Sequence, residues 1–278
     1  MRVSQTKQQR VDNVGQKQVN QAHSTQAPQA TQKRAQAAAP DLDHAVPRST
    51  TQQFAKASQQ PRAGQSALST RIAHRDTQAG MNEAAWKDTA KAEKRMDTVA
   101  KELTKGWDGA DAKDMRAEQK AFKEFNSAWA SFDAFQSNDG GSIWRTEAAG
   151  MAKDGIEARI KFLQAGAEVQ GNTSANIPDD ATQQEMNALA YESFAAAEHR
   201  LKDLEGKIEV QLDDGALNMF RAAQEAFRDF RDATATRVSN GEARGGTLAP
   251  LIRSGVAEQM TEQHFERLSQ LLKSLQSG

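Results

Sequence analysis

Cysteine is absent from the 278-residue chain. That excludes disulfides, thiolate catalysis, iron–sulfur clusters and cysteine-ligated zinc. Long apolar runs are also missing. No window approaches the ~18 uninterrupted apolar residues of a membrane span, so none is expected. Met1 to Asn20 is polar, with no apolar stretch after its basic residues. The expectation is therefore a protein without a secretory signal peptide, cytoplasmic before any export and secreted, where it is secreted, by a signal-peptide-independent system. Strand signals are sparse, since β-branched residues are scattered and no alternating run reaches six.

Chemistry-bearing motifs are equally thin. His23, His44, His74, His199 and His264 form no HExxH or similar pair, and no P-loop pattern follows either glycine pair, so no metal or cofactor is expected. Asp108-Gly109-Ala110-Asp111 lacks the alternating ligands of a calcium loop. Carboxylates are plentiful, but nothing sets a general acid apart from a general base as a glycosidase needs. The chain reads as a non-enzyme.

What is present is unevenly distributed. Residues 1–80 hold eleven Lys or Arg, four Asp, no Glu, sixteen Gln and a single aromatic, Phe54. So few large apolar groups cannot offset ~1–2 kcal/mol per residue of backbone ordering entropy. Residues 1–75 are expected to be a disordered, basic, Gln- and Ser-rich tail. Residues 1–80 carry +7, and residues 81–278 carry −8. A basic tail attracts phosphate, yet its charges are dispersed and Phe54 alone gives bases little to stack on, so no nucleic-acid partner is expected. The remaining ~200 residues can bury a core.

That body contains an internal duplication. A shift of 105 places Thr77–Leu163 on Thr182–Leu268 without a gap. Thr77-Gln78 meets Thr182-Gln183, and Met81-Asn82 meets Met186-Asn187. Gln119, Ala121 and Phe122 meet Gln224, Ala226 and Phe227. Phe125 meets Phe230, and Gly140-Gly141-Ser142 meets Gly245-Gly246-Thr247. A shared apolar period alone does not produce that mixture of apolar, glycine and polar identities in one register.

Each unit reads as helical. Leu201, Leu204, Ile208 and Leu212 recur at three- and four-residue steps, one face of a helix. Asp213-Asp214-Gly215 breaks it, with Asp214 the expected cap of the next helix. Phe220, Ala223, Phe227 and Phe230 form that helix's stripe, and Phe122, Phe125, Trp129 and Phe132 form its counterpart. A loop is expected around Ser239-Asn240-Gly241, and a last helix after Thr261 with Phe265, Leu268, Leu272 and Leu275 on one side. The expected architecture is all-α: two tandem small helical bundles over 76–165 and 181–278, joined by a linker over 166–180 and preceded by the tail.

The second unit, from Ala181-Thr182-Gln183-Gln184-Glu185-Met186-Asn187 through Gln224-Glu225-Ala226-Phe227 and Phe230-Arg231-Asp232-Ala233, resembles the LprI-type lysozyme-inhibitor domain. Gly245-Gly246-Thr247 and the helix from Met260-Thr261 to Arg267-Leu268 fit as well. The first unit matches at Phe125, Gly140, Gly141 and Arg159. The resemblance implies a small helical domain, often exported to the cell envelope, that binds protein and in some members inhibits lysozyme. It does not imply catalysis. Where the family usually carries cysteines, this chain has Leu189, Ala235 and Val256, and in the first unit Ala84, Ala130 and Met151. A usual tryptophan is Phe227, and a usual arginine of the last helix is His264. Packing in place of crosslinks, each worth ~2–4 kcal/mol, suits a reducing compartment or passage through a narrow secretion channel.

The candidate partner-binding residues are Gly140, Gly141, Ser142, Gly245, Gly246, Thr247 and Arg231. The glycine pairs could form tips that enter a partner's cleft, with Ser142 and Thr247 offering hydroxyls, or could simply supply backbone freedom. Arg231 could recognise a partner or tie helices together. Trp86, Trp107, Trp129 and Trp144 read as core more readily than as a binding surface. The expected partner is a protein: a lysozyme, typically basic and so matched to the acidic body, or a host or competitor protein bound by an exported bacterial effector.

Overall fold

The helix starts repeat in register. Thr77 stands in extended backbone, and its hydroxyl accepts the Gly80 N–H at 3.1 Å, opening α1 (Gln78–Leu103). Asp108 does the same for α2 (Gly109–Ser137) through the Ala110 and Asp111 N–H groups. After α3 (Trp144–Gln164) the pattern recurs 105 residues on. Thr182 and Glu185 form a reciprocal capping box at α4 (Gln183–Glu209), and Asp213 caps α5 (Asp214–Ala243). The last helix is α6 (Ala249–Ser277). This computed structural model describes residues 77–166, 169, 171 and 173–277, among which there is no strand. The chain is all-α, two three-helix units in tandem; the expected disordered tail over 1–75 lies outside the described residues.

Three boundaries differ from the sequence reading. Asp213, not Asp214, is the cap, because its carboxylate reaches the Ala216 N–H at 2.8 Å. Helix α5 runs straight through the expected loop at Ser239-Asn240-Gly241. Ser239 is buried there and the Asn240 amide donates to Asp114 at 2.7 Å, so tertiary contacts hold residues of poor helix propensity in place. Helix α6 starts twelve residues before Thr261, whose hydroxyl returns to the Ala257 carbonyl at 2.7 Å inside the helix instead of capping one.

In each unit the first and third helices run parallel and are clasped alike. Arg95 pairs with Glu157, and 105 residues on Arg200 pairs with Glu262. The two units are joined along their second helices. Helices α2 and α5 lie antiparallel, with Phe132 against Phe220 at 5.3 Å between ring centroids, Phe125 against Phe227 at 5.7 Å and Phe122 against Phe230 at 5.3 Å. The largest core is therefore shared: Phe132 of the first unit is enclosed by Leu201, Leu204, Ile208, Ala216, Phe220, Phe227 and Leu268 of the second. The segment between α3 and α4 is docked as well. Glu258 accepts from the Thr173 hydroxyl at 2.7 Å and from the Ser193 hydroxyl at 2.7 Å, and also receives Ser174. Gly171 lies so close to Ile252 that a Cβ would stand 2.8 Å from its Cγ2.

One polar group is buried in this joint. Glu118 on α2 is wholly enclosed and accepts from Arg159 on α3 at 2.8 Å, from Thr234 on α5 at 3.0 Å and from Arg237 on α5. Burial pulls the Arg159 guanidinium down from the usual arginine range, an effect that the Glu118 charge opposes.

The cysteine positions of the family now have surroundings. Ala235 and Val256 are buried in one cluster with Phe230 and Met260, so packing does occupy that site. In the first unit Ala130 is buried, but Ala84 and Met151 are exposed. At those two positions core packing does not stand in for a crosslink, which corrects the expectation. Trp107 is also exposed rather than core.

Two stability predictions follow from the shared core. Truncating Phe227 to Ala should cost ~3–5 kcal/mol in urea unfolding monitored by far-ultraviolet circular dichroism. Glu118→Ala should cost a similar ~3–5 kcal/mol, because Arg159 and Arg237 then lose the buried carboxylate they share and stand in the interior as two like charges.

Candidate functional site

The two glycine loops are one structure built twice. Helix α2 ends when Gly140 turns to a φ of +70°, and α5 ends with Gly245 at +68°. In the first loop the Gly141 N–H donates to the Asn138 carbonyl at 2.7 Å and the Trp144 N–H to the Gly141 carbonyl at 3.3 Å. In the second, Gly246 donates to Ala243 at 2.8 Å and Ala249 to Gly246 at 3.2 Å. Gly140 is also required by space, since a Cβ there would meet the Phe135 ring at 3.0 Å. The glycines thus shape the turn, and what they present is the pair of residues that follows. Ser142-Ile143 and Thr247-Leu248 stand outside, with Ile143 48% and Leu248 47% exposed. Sequence reasoning named the hydroxyls and missed the aliphatic residues beside them, whose only signal was position after a glycine turn.

Because α2 and α5 are antiparallel, the two tips sit at opposite ends of a helix pair ~40 Å long, at 1.5 Å per residue. They cannot enter one cleft together. Each tip instead neighbours the other unit's hairpin. Phe135 lies between Gly140 and Gly215, and Leu212 packs on the same core, so the first tip adjoins the α4–α5 turn. Arg244 pairs with Asp111 at the other end, which sets the second tip beside the α1–α2 turn.

The two ends differ in charge. Around the first tip Asp139, Glu147, Asp213 and Asp214 are exposed; Arg145 stacks over Trp144 at 5.4 Å, and Lys207 stands close to the α4–α5 turn in sequence. Val210 adds a large aliphatic side chain, 78% exposed. At the second tip the acids are answered: Arg244 engages Asp111 and Asp114, and Lys105 stands close by in sequence. The first end is an acidic, partly apolar knob, the second a mixed one.

Arg231 is not brought to either end. It is 5% exposed, and its guanidinium bonds Glu198 on α4 and Thr261 on α6 at 3.4 Å while lying 5.0 Å from the Phe194 ring. It ties the three helices of the second unit together and is buried away from the surface a partner would meet, which corrects the expectation of a recognition role.

The position of the family's usual arginine is instructive. In the first unit Arg159 bonds Gln119 at 3.3 Å and Glu118; in the second, His264 bonds Gln224 at 2.7 Å. The residue matching Glu118 is Ala223, so a cation at 264 would have no carboxylate beside it. His264 is buried and stacked on Phe227 at 3.8 Å. Burial first, and then the charges of Arg267, Arg228 and Arg231, push its imidazole from 6.5 down to about 3. Among the described residues no group of His, Asp and Glu could hold a metal, and no helix is long and apolar enough to cross a membrane.

A tandem of helical units with duplicated loops and caps defines a class of two-copy, all-α modules. A family model, lysozyme inhibitor LprI, matches the chain twice, over residues 71–163 and 174–268. Together these spans cover more than half of the chain, which belongs to the LprI lysozyme-inhibitor family. No curated protein and no solved structure matches it.

A histidine held neutral in the fold binds its proton in the unfolded chain first, so its contribution is complete above pH 6.5 and falls as the pH drops toward about 3. Stability should fall across that window by about 1.4 kcal/mol per pH unit from this residue. The same slope measured on His264→Phe should be shallower by that amount.

Proposed function

We propose that this protein is a non-catalytic, protein-binding module of the lysozyme-inhibitor type, which docks a basic lysozyme on the acidic end formed by the first glycine loop and the α4–α5 turn. The observation that carries the reading is the knob itself. Ser142 and Ile143 project from a turn that Gly140 makes possible with its positive φ, and Asp139, Glu147, Asp213 and Asp214 lie around them. A basic cleft is steered to such a surface, Ile143 and Val210 supply the apolar contact, and the Ser142 hydroxyl is a donor for a carboxylate lining the cleft. Inhibition on this reading is steric occlusion, with no bond made or broken. Gly245, Gly246 and Thr247, at the mixed end, form the weaker of the two tips.

The second reading is an effector that leaves its cell without a signal peptide and binds a host or competitor protein with the same knob. It is favoured by the buried Ala235 and Val256, which spare the chain a crosslink during passage in an unfolded state.

A turbidity assay of cell-wall lysis by a basic lysozyme tests the first reading. Equimolar full-length protein should slow lysis, and the doubly neutralised variant Asp139→Asn with Asp214→Asn should need about tenfold more protein for the same effect, with Ile143→Asp weaker still. Thr247→Ala should match the unaltered chain. Undiminished lysis at a tenfold excess of protein overturns lysozyme blockade and leaves the effector reading.

A further inference from the structure

The duplication supplies an internal control that exposes a second surface. In the second unit the seam between the first and second helices is closed by ion pairs. Arg228 on α5 reaches Glu205 at 2.5 Å and Glu198 at 3.3 Å, and Arg221 reaches Glu209 at 2.7 Å. In the first unit the cations persist, as Arg116 and Lys123, but the residues matching Glu205 and Glu209 are Ala100 and Thr104. Lys120 replaces Glu225 as well, so one more acid has become a base. The seam stands open there as a groove of about 610 Å³ floored by Ala100 and Met115 and rimmed by Lys101, Arg116, Lys120 and Lys123, with a single acid, Asp97, in its lining. Lys123 turns to Asp97 at 3.0 Å, Lys120 is 3.8 Å from Glu124, and Arg116 has no ion pair among the described residues. Four cations thus crowd one groove on a body whose overall charge is −8.

We infer that the α1–α2 groove is a docking site for an acidic peptide segment of a partner protein, whose carboxylates take the places that Glu205 and Glu209 hold in the second unit. Charge complementarity selects the occupant. The chain's own residues 1–76 carry eleven Lys or Arg against four Asp and no Glu, so the tail is repelled from this rim. The apolar floor of Ala100 and Met115 favours a segment in which acidic residues alternate with aliphatic ones over a bare polyanion. This surface is separate from the acidic knob and of opposite sign, so the inference stands independently of lysozyme blockade.

Fluorescence anisotropy with the full chain tests it, using a labelled, end-blocked peptide of sequence Glu-Leu-Glu-Glu-Leu-Glu as the probe and its Gln-for-Glu analogue as the control. Saturable binding of the acidic peptide, at least tenfold weaker for the analogue, is expected. Restoring the missing acids in cis, Ala100→Glu with Thr104→Glu, should close the groove as the second unit does and weaken binding at least tenfold with the tail unaltered. Ala100 is buried in the first unit's core, so the exposed Arg116→Ala provides a second variant, expected to lose about fivefold with an unchanged melting curve. Equal binding by the Ala100→Glu, Thr104→Glu variant, equal binding of the Gln analogue, or displacement of the peptide by sodium tripolyphosphate at the peptide's own concentration would each overturn the assignment.

Discussion

Glu118 sets the constraint under which the rest of the molecule is arranged. A carboxylate cut off from water costs several kcal/mol unless donors surround it, and here they come from α3 and α5 as well as from a hydroxyl. Arg237 and Thr234 are one turn apart on α5, so satisfying Glu118 admits one register of α2 against α5. Once that register is set, Phe132 meets Phe220, Phe125 meets Phe227, and the two glycine turns are carried to opposite ends. The bland consequence is a stable joint. The functional one is that each tip borrows its neighbouring turn from the other unit, so neither unit alone holds a complete end.

The duplication makes this arrangement easier to interpret, because sequence equivalence and structural equivalence can be compared residue by residue. The caps at Thr77 and Asp108, the bridge from Arg95 to Glu157 and the turn at Gly140 all recur 105 residues on. These are the parts a three-helix unit needs in order to stand. Glu118 does not recur, and could not without harm: the position matching it holds Ala223, buried in the second unit beside Phe220 and Phe227 on the same helix. Two buried carboxylates in one joint would repel and would need twice the donors. A single acid serving both halves breaks the symmetry, and the arginine-to-histidine change at 264 is the other side of the same break.

How far the sequence led depended on whether a feature was local. Stripes such as Leu201, Leu204 and Ile208 report helix faces directly, and gaplessness over the repeat reported the tandem order. Asp213 against Asp214 is a matter of one residue at a helix start, where both side chains suit the cap and only backbone direction chooses. The missed continuation of α5 through Ser239-Asn240-Gly241 has a different cause. Those residues are weak helix formers, and the contacts that override their preference come from Asp114, more than a hundred residues away, and from the buried cluster of Val238 with Val256 and Met260 on the next helix. Of the candidate site residues, the glycines were legible because a left-handed turn asks for them. Arg231 was ambiguous because an arginine on a helix has the same spacing whether it faces Glu198 or a partner.

The ends and the open seam share one physical logic. A helical module of this size gains its stability from buried aromatic and aliphatic faces, and the residues free to diverge are those outside that core. In the second unit the divergence ran toward closure, with Glu205 and Glu209 drawn onto Arg228 and Arg221, and burial holds the Glu205 carboxyl above its ordinary range while Arg228 opposes that rise. Such a seam is closed by its own ion pairs, although one Glu205 oxygen is left without a hydrogen-bond partner. In the first unit the same cations lack those acids, so their charge is directed outward. Closing a seam with a carboxylate as buried as Glu205 carries a desolvation cost that offsets much of the pair's attraction, so the first unit loses little stability by leaving its seam open. It thereby keeps four positive side chains around an apolar floor, and an acidic chain with aliphatic residues can meet both the charges and the floor, whereas water meets only the charges. Stability and binding therefore draw on different residues of the same repeat, which is why one copy can be tight while the other stays available.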